Sequence, residues 1–105
     1  MDAPVASFEA IAIDSERGRF PVKVSIGTPY LSNREPDTWR CPVAVDPLYP
    51  HLRDIAGGDA FQALCLASRL AIDLLQSYVA NGGRLTYDGE NDVALDAYFS
   101  SKPNK

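Results

Sequence analysis

Apolar and polar residues alternate along three stretches in the first half of the chain. Residues 5–13, VASFEAIAI, carry Ile and Val at alternating positions near their end and predict a first strand. Residues 14–19 are polar and contain Gly18, as a hairpin loop should be. In residues 20–26, FPVKVSI, the side chains of Phe20, Val22, Val24 and Ile26 fall on one face and those of Pro21, Lys23 and Ser25 on the other. This is the period-2 pattern of a half-buried strand. Pro21 has no N–H for a ladder, so it belongs at the strand start or on an edge. Residues 27–38 hold Gly27, Pro29, Asn33, Pro36 and Asp37 and read as a loop. The alternation returns in residues 39–45, WRCPVAV, with Trp39, Cys41, Val43 and Val45 on the apolar face. Pro42 marks an edge or a bulge in that third strand. Residues 46–58 read as a second loop, with Pro47, Pro50, Gly57 and Gly58.

The period then changes. Asp59 is a good N-cap, and Gln62 stands three residues later as in a capping box. A helix is predicted over 60–81, ended by Gly82 in a left-handed C-terminal cap. At 100° per residue its polar positions, Gln62, Arg69, Asp73, Gln76 and Ser77, share one arc. The rest is nearly all apolar and about twice as wide as an ordinary surface helix requires. One sheet covers one side, so the C-terminal segment or a second subunit is expected on the other. Residues 84–87, RLTY, predict a short fourth strand, 88–91 a turn, and Asp92 the cap of a short helix over 93–99. Residues 1–4 and 100–105 are expected to fray.

The chain of 105 residues fits a single domain with a real core. Its net charge is −4, and its three lysines and seven arginines are scattered, so no basic footprint for nucleic acid is present. No stretch reads as a bilayer span, and the first seven residues lack the charged and apolar regions of a secretory signal. A cytoplasmic setting is expected. There Cys41 and Cys65 are two small buried hydrophobes rather than a disulfide.

Candidate chemistry is sparse. Cys41 and His51 are the weak candidates for a nucleophile and its base. Cys41, however, belongs to the apolar face of a strand, and His51 lies in a loop between Pro50 and Leu52. Two cysteines and one histidine do not make a zinc site. The acids Asp88, Glu90, Asp92 and Asp96 have calcium-loop spacing, but Val93 and Phe99 stand where such a loop needs Gly and Glu. Gly57-Gly58 before a helix lacks the remaining residues of a phosphate loop. Arg53 and Asp54 are expected to solvate the loop. No cofactor and no metal site is expected.

Trp39-Arg40-Cys41-Pro42, followed by Gly58-Asp59-Ala60-Phe61-Gln62-Ala63-Leu64 and a long apolar helix, resembles a family of small bacterial proteins of unknown function. The likeness spans roughly residues 8–80 and departs at the longer loop 49–55 and after Gly82. The resemblance implies a hairpin, a third strand and a helix, with Trp39 and Phe61 packed together in the core, and a bacterial origin; it implies no activity. The expected fold is α+β, a three- to four-stranded antiparallel meander packed on one long helix, with a short C-terminal helix. The expected function is a non-catalytic protein-interaction module, accessory, antitoxin-like or immunity-like, that self-associates as a homodimer. The alternative is a small-ligand-binding domain or small enzyme with a site between sheet and helix. Its candidate residues are Cys41, His51, Tyr49 and Arg53, while Trp39, Arg40 and Gln62 are candidates to line a recognition surface.

Overall fold

Alternation in the first 26 residues builds a hairpin. In the computed structural model, which describes residues 3–99, β1 (Ala6–Asp14) and β2 (Gly18–Ile26) pair antiparallel from Ala6↔Ile26 to Asp14↔Gly18. The Asp14 carboxylate closes the turn by accepting from the Glu16 and Arg17 amides at 2.9 and 2.6 Å. Gly18 takes φ +70°, which a side chain would resist. Val22, Val24 and Ile26 are buried on the face read from the sequence, and Phe20 is partly buried.

The stretch 39–45 is not one strand. Pro42 divides it into β4 (Trp39–Cys41) and β5 (Val43–Asp46), and the two halves belong to different sheets. Val43–Asp46 pairs with β2, and the Gly27 amide donates to the Pro42 carbonyl at 2.9 Å. Trp39–Cys41 instead sits between β3 (Tyr30–Leu31) and β6 (Ile55–Gly57). Both of those short strands lie in stretches read as loops. With two and three residues they are too brief for period-2 alternation to register.

The molecule is therefore α+β, with a four-stranded antiparallel sheet in the order β5-β2-β1-β7 and a three-stranded sheet in the order β3-β4-β6. β7 (Arg84–Thr86) joins β1 through Ile11↔Thr86, Ala12↔Leu85 and Ile13↔Arg84. Pro21 lies inside β2 as its fourth residue, not at its start as one reading allowed. β5 ends opposite Lys23, so the missing N–H of Pro21 faces an open edge.

α1 (Ala60–Ala80) begins as the sequence indicates: the Asp59 carboxylate accepts from the Gln62 amide at 2.7 Å, and Gln62 Oε1 accepts from the Gly58 amide at 2.6 Å. It ends in a Schellman motif. The Gly82 amide donates to the Val79 carbonyl and the Gly83 amide to the Tyr78 carbonyl, with Gly82 at φ +106°. Ala63, Ala67 and Ala71 form a buried small-residue stripe that admits a close approach to the sheets, with Ile72 and Leu75 buried beyond it.

α1 packs against strands of both sheets, yet part of its wide apolar arc, Leu66 and Val79 among it, stays exposed. By length and composition α1 could cross a membrane, contrary to the sequence reading, although a helix packed on sheets passes the same test. Three further expectations are corrected. Phe61 does not join Trp39 in the core: it is 74% exposed. Cys65 is exposed, not buried. The helix over 93–99 is a single 3-10 turn, Leu95–Ala97, because Asp92 bridges to Thr86 and binds Arg84 instead of capping. The expected fraying of residues 1–2 and 100–105 lies outside the described residues.

Candidate functional site

The third strand and the second loop of the sequence reading together make a polar cleft of about 400 Å³. Pro42, Val43, Ala44 and Asp46 form one wall, and Tyr49, Pro50, Leu52 and Asp54 the other. Tyr49 is held there by its amide, which donates to the Val45 carbonyl at 2.8 Å, and by its hydroxyl, which donates to the Leu74 carbonyl at 3.3 Å. Beside the cleft runs a network that the sequence did not reveal. The Tyr30 hydroxyl donates to Asp54 at 2.5 Å, and Arg40 reaches the Asp54 carbonyl at 3.2 Å while pairing with Glu35. Asp54 therefore ties the 49–54 loop to β3 rather than simply solvating it. Tyr30 and Asp54 are 24 positions apart, and no local pattern links them.

This network is poorly suited to acid–base chemistry near neutral pH. The hydrogen bond to Asp54 raises the Tyr30 hydroxyl above its ordinary value, and the bond to Glu35 raises Arg40. Both groups stay protonated. Cys41 is fully buried, and its thiol lies 3.4 Å from the Gly27 carbonyl. Burial, with a smaller contribution from the Asp54 charge, pushes its pKa up. A thiolate nucleophile needs the opposite environment.

The remaining candidates scatter. His51 and Arg53 are exposed on the second loop. Trp39 is partly buried against the core and pairs with Gly57. Gln62 spends its side chain on the Gly58 amide, which also occupies a donor that an anion at Gly57-Gly58 would need. The acids at 88–92 have structural partners. Asp88 accepts from the Glu90 and Asn91 amides and from the Asn91 side chain, which holds its pKa down to about 2. Asp92 pairs with Arg84. Among the described residues no three His, Cys, Asp or Glu side chains converge as a metal-binding group.

A second cleft, of about 300 Å³, lies between sheet and helix and is mostly apolar. Ala6, Ser7, Phe8 and Val24 line it from the sheet, Ser68, Ala71 and Ile72 from α1, and Tyr98 and Phe99 from the chain end. The Phe8 and Tyr98 rings stack with centroids 5.8 Å apart, and the Arg69 guanidinium lies 5.0 Å from the Phe99 ring centre. The C-terminal segment thus covers part of the helix, as one expectation had it. Ser68 and Ile72 continue a ridge that starts at Phe61 and passes through Cys65, at the i, i+4, i+7, i+11 spacing of one helix face. Phe61 and Cys65 at its N-terminal end stand in solvent.

Neither the curated proteins nor the solved structures include a match to this chain. A family model does match, that of the domain of unknown function DUF6968, over residues 10–97. That span runs from the middle of β1 through the 3-10 turn, and the chain belongs to the DUF6968 family.

Proposed function

We propose that this domain is a non-catalytic protein-interaction module that associates with a second copy of itself. The observation supporting this reading is Phe61, 74% exposed in the first turn of α1 at the head of a ridge that leads into the aromatic cleft. A lone exposed apolar residue is ordinary, but a ridge continuous with an open apolar cleft supports the reading of a contact surface. Burying one Phe side chain contributes about 1.5–3 kcal/mol, and a two-fold contact counts it on both copies. A cytoplasmic setting belongs to the same proposal, because it keeps the exposed Cys65 reduced on that ridge.

Cys65 supplies the test. It is exposed while Cys41 is buried, so the native chain offers one accessible thiol on the ridge. A short bis-maleimide is expected to link two chains through Cys65, and Phe61→Asp to suppress the link without unfolding the domain. A chain that sediments as a monomer at every concentration and yields no cross-link would refute the proposal.

A further inference from the structure

Most edges of the four-stranded sheet are closed. Beyond β7 the chain returns, with the Tyr87 amide donating to the Asn91 carbonyl and the Val93 amide to the Leu85 carbonyl, both at 2.9 Å. β5 is covered by Tyr49, which bridges to Val45. Where β5 stops, β2 presents Pro21, which has no N–H to offer. Strand edges left without such protection invite another strand.

Among the described residues, nothing protects the first half of β1 in this way. Its hairpin closes on the pair Asp14↔Gly18 across three loop residues, which makes that pair the one exchanging hydrogen bonds. By alternation, the even-numbered residues of β1 bond to β2, and the odd-numbered residues turn their N–H and C=O groups away. Thr86 Oγ1 confirms the direction by donating to the Ile11 carbonyl from the β7 side at 3.2 Å. β7 takes up only residues 11–13. Ser7 and Glu9, both exposed, are left with four outward backbone groups that have no partner among the described residues.

We infer that this edge pairs antiparallel with the same edge of a second copy, about a two-fold axis through Phe8. The inference rests on the self-association reading and names the contact. With Ser7 opposite Glu9 of the other copy, all four groups on each chain find partners. Phe8 then faces Phe8 of the second copy as a close, non-hydrogen-bonded pair, about 4.5 Å between Cα atoms. The two Phe8–Tyr98 stacks join across the axis, and the aromatic cleft closes over them. The charges allow it. Each Glu9 already has Lys23 directly across in β2, and the row it meets in the second copy is Ser7 and Ser25, so no like charges oppose. The edge and the inner end of the ridge, Ser68 and Ile72, line the same cleft.

The experiment measures amide hydrogen exchange by NMR at high and low protein concentration, together with sedimentation. The inference expects a dimer in which the Ser7 and Glu9 amides are protected and lose protection on dilution. A dimer whose Ser7 and Glu9 amides exchange freely overturns the edge pairing and leaves self-association through the ridge standing. A monomer throughout overturns both. Ser7→Pro removes an N–H that the subunit's own sheet does not use. Two hydrogen bonds are lost by symmetry, so the dissociation constant should rise about 30-fold with the monomer's urea midpoint unchanged. An unchanged dissociation constant would contradict the pairing.

Discussion

A Cβ placed on Gly57 would stand 2.6 Å from the Ala63 amide nitrogen and 2.8 Å from its Cα. The first turn of α1 therefore rests directly on the backbone of β6, and Ala63 is fully buried there. No flexible side chain lies between them to give way. Gly57→Ala is expected to destabilise the fold by about 1–3 kcal/mol through overpacking. Gly58→Ala is the control, because its nearest neighbour is the end of the Gln62 side chain, 3.3 Å away. Urea unfolding of the two variants should separate them, and equal midpoints would mean the helix is not seated on β6.

The start of α1 depends on Asp59. Its carboxylate accepts the Gln62 amide at 2.7 Å in extended backbone geometry. Asp59→Ala should cost about 1 kcal/mol, and Asp59→Asn much less, since Asn caps nearly as well. Denaturation of the pair against the parent checks the difference.

How far the sequence reached follows from these elements. The hairpin and α1 are legible because each carries a long period or a cap with its own chemistry, β5 as the second half of an alternating stretch, and β7 from the Gly82-Gly83 stop before it. β3 and β6 are not. Two or three residues hold no period, and their partner β4 looked like the front of a longer strand. Pro42 was the available clue: read as an edge or bulge, it is the point where the chain leaves one sheet for the other. That second sheet supplies part of the cover that the wide apolar arc of α1 requires. Phe61 was misplaced for the converse reason: an apolar residue one turn into a helix carries no sign of which neighbours reach it. Of the polar cleft and the network beside it, Tyr49 and Arg40 are legible in the sequence as candidate binding residues. Tyr30 meets Asp54, and Phe8 meets Tyr98, only through the tertiary fold.

Stability should respond to alkaline pH through Tyr78. Its hydroxyl donates to Asp14 at 2.8 Å, and burial together with that bond pushes its pKa up to about 12. A raised pKa favours the neutral phenol in the folded state. The contribution is complete below the unfolded value near 10 and is lost as pH rises through about 12. Tyr78→Phe is therefore expected to lower stability at neutral pH and to flatten its decline between those values. Unfolding curves across that range decide it, and an unchanged slope would remove Tyr78 from the explanation.

The two thiols should behave as different groups. Cys65 is exposed, while Cys41 is buried with its pKa raised by burial. A thiol-specific chromogenic reagent should titrate one thiol promptly and the second only as the protein unfolds. Cys65→Ser should abolish the fast phase. A fast phase that survives in that variant would expose Cys41 as reactive and revive the nucleophile reading.

The central claim, self-association through the Phe61 ridge and its cleft, is tested most directly by sedimentation equilibrium of the parent and of Phe61→Asp over a wide concentration range. The account predicts a monomer–dimer equilibrium for the parent and a shift towards monomer for the variant, with both folded by circular dichroism. A parent of monomer mass at every concentration, or a dimer indifferent to the aspartate, would contradict it.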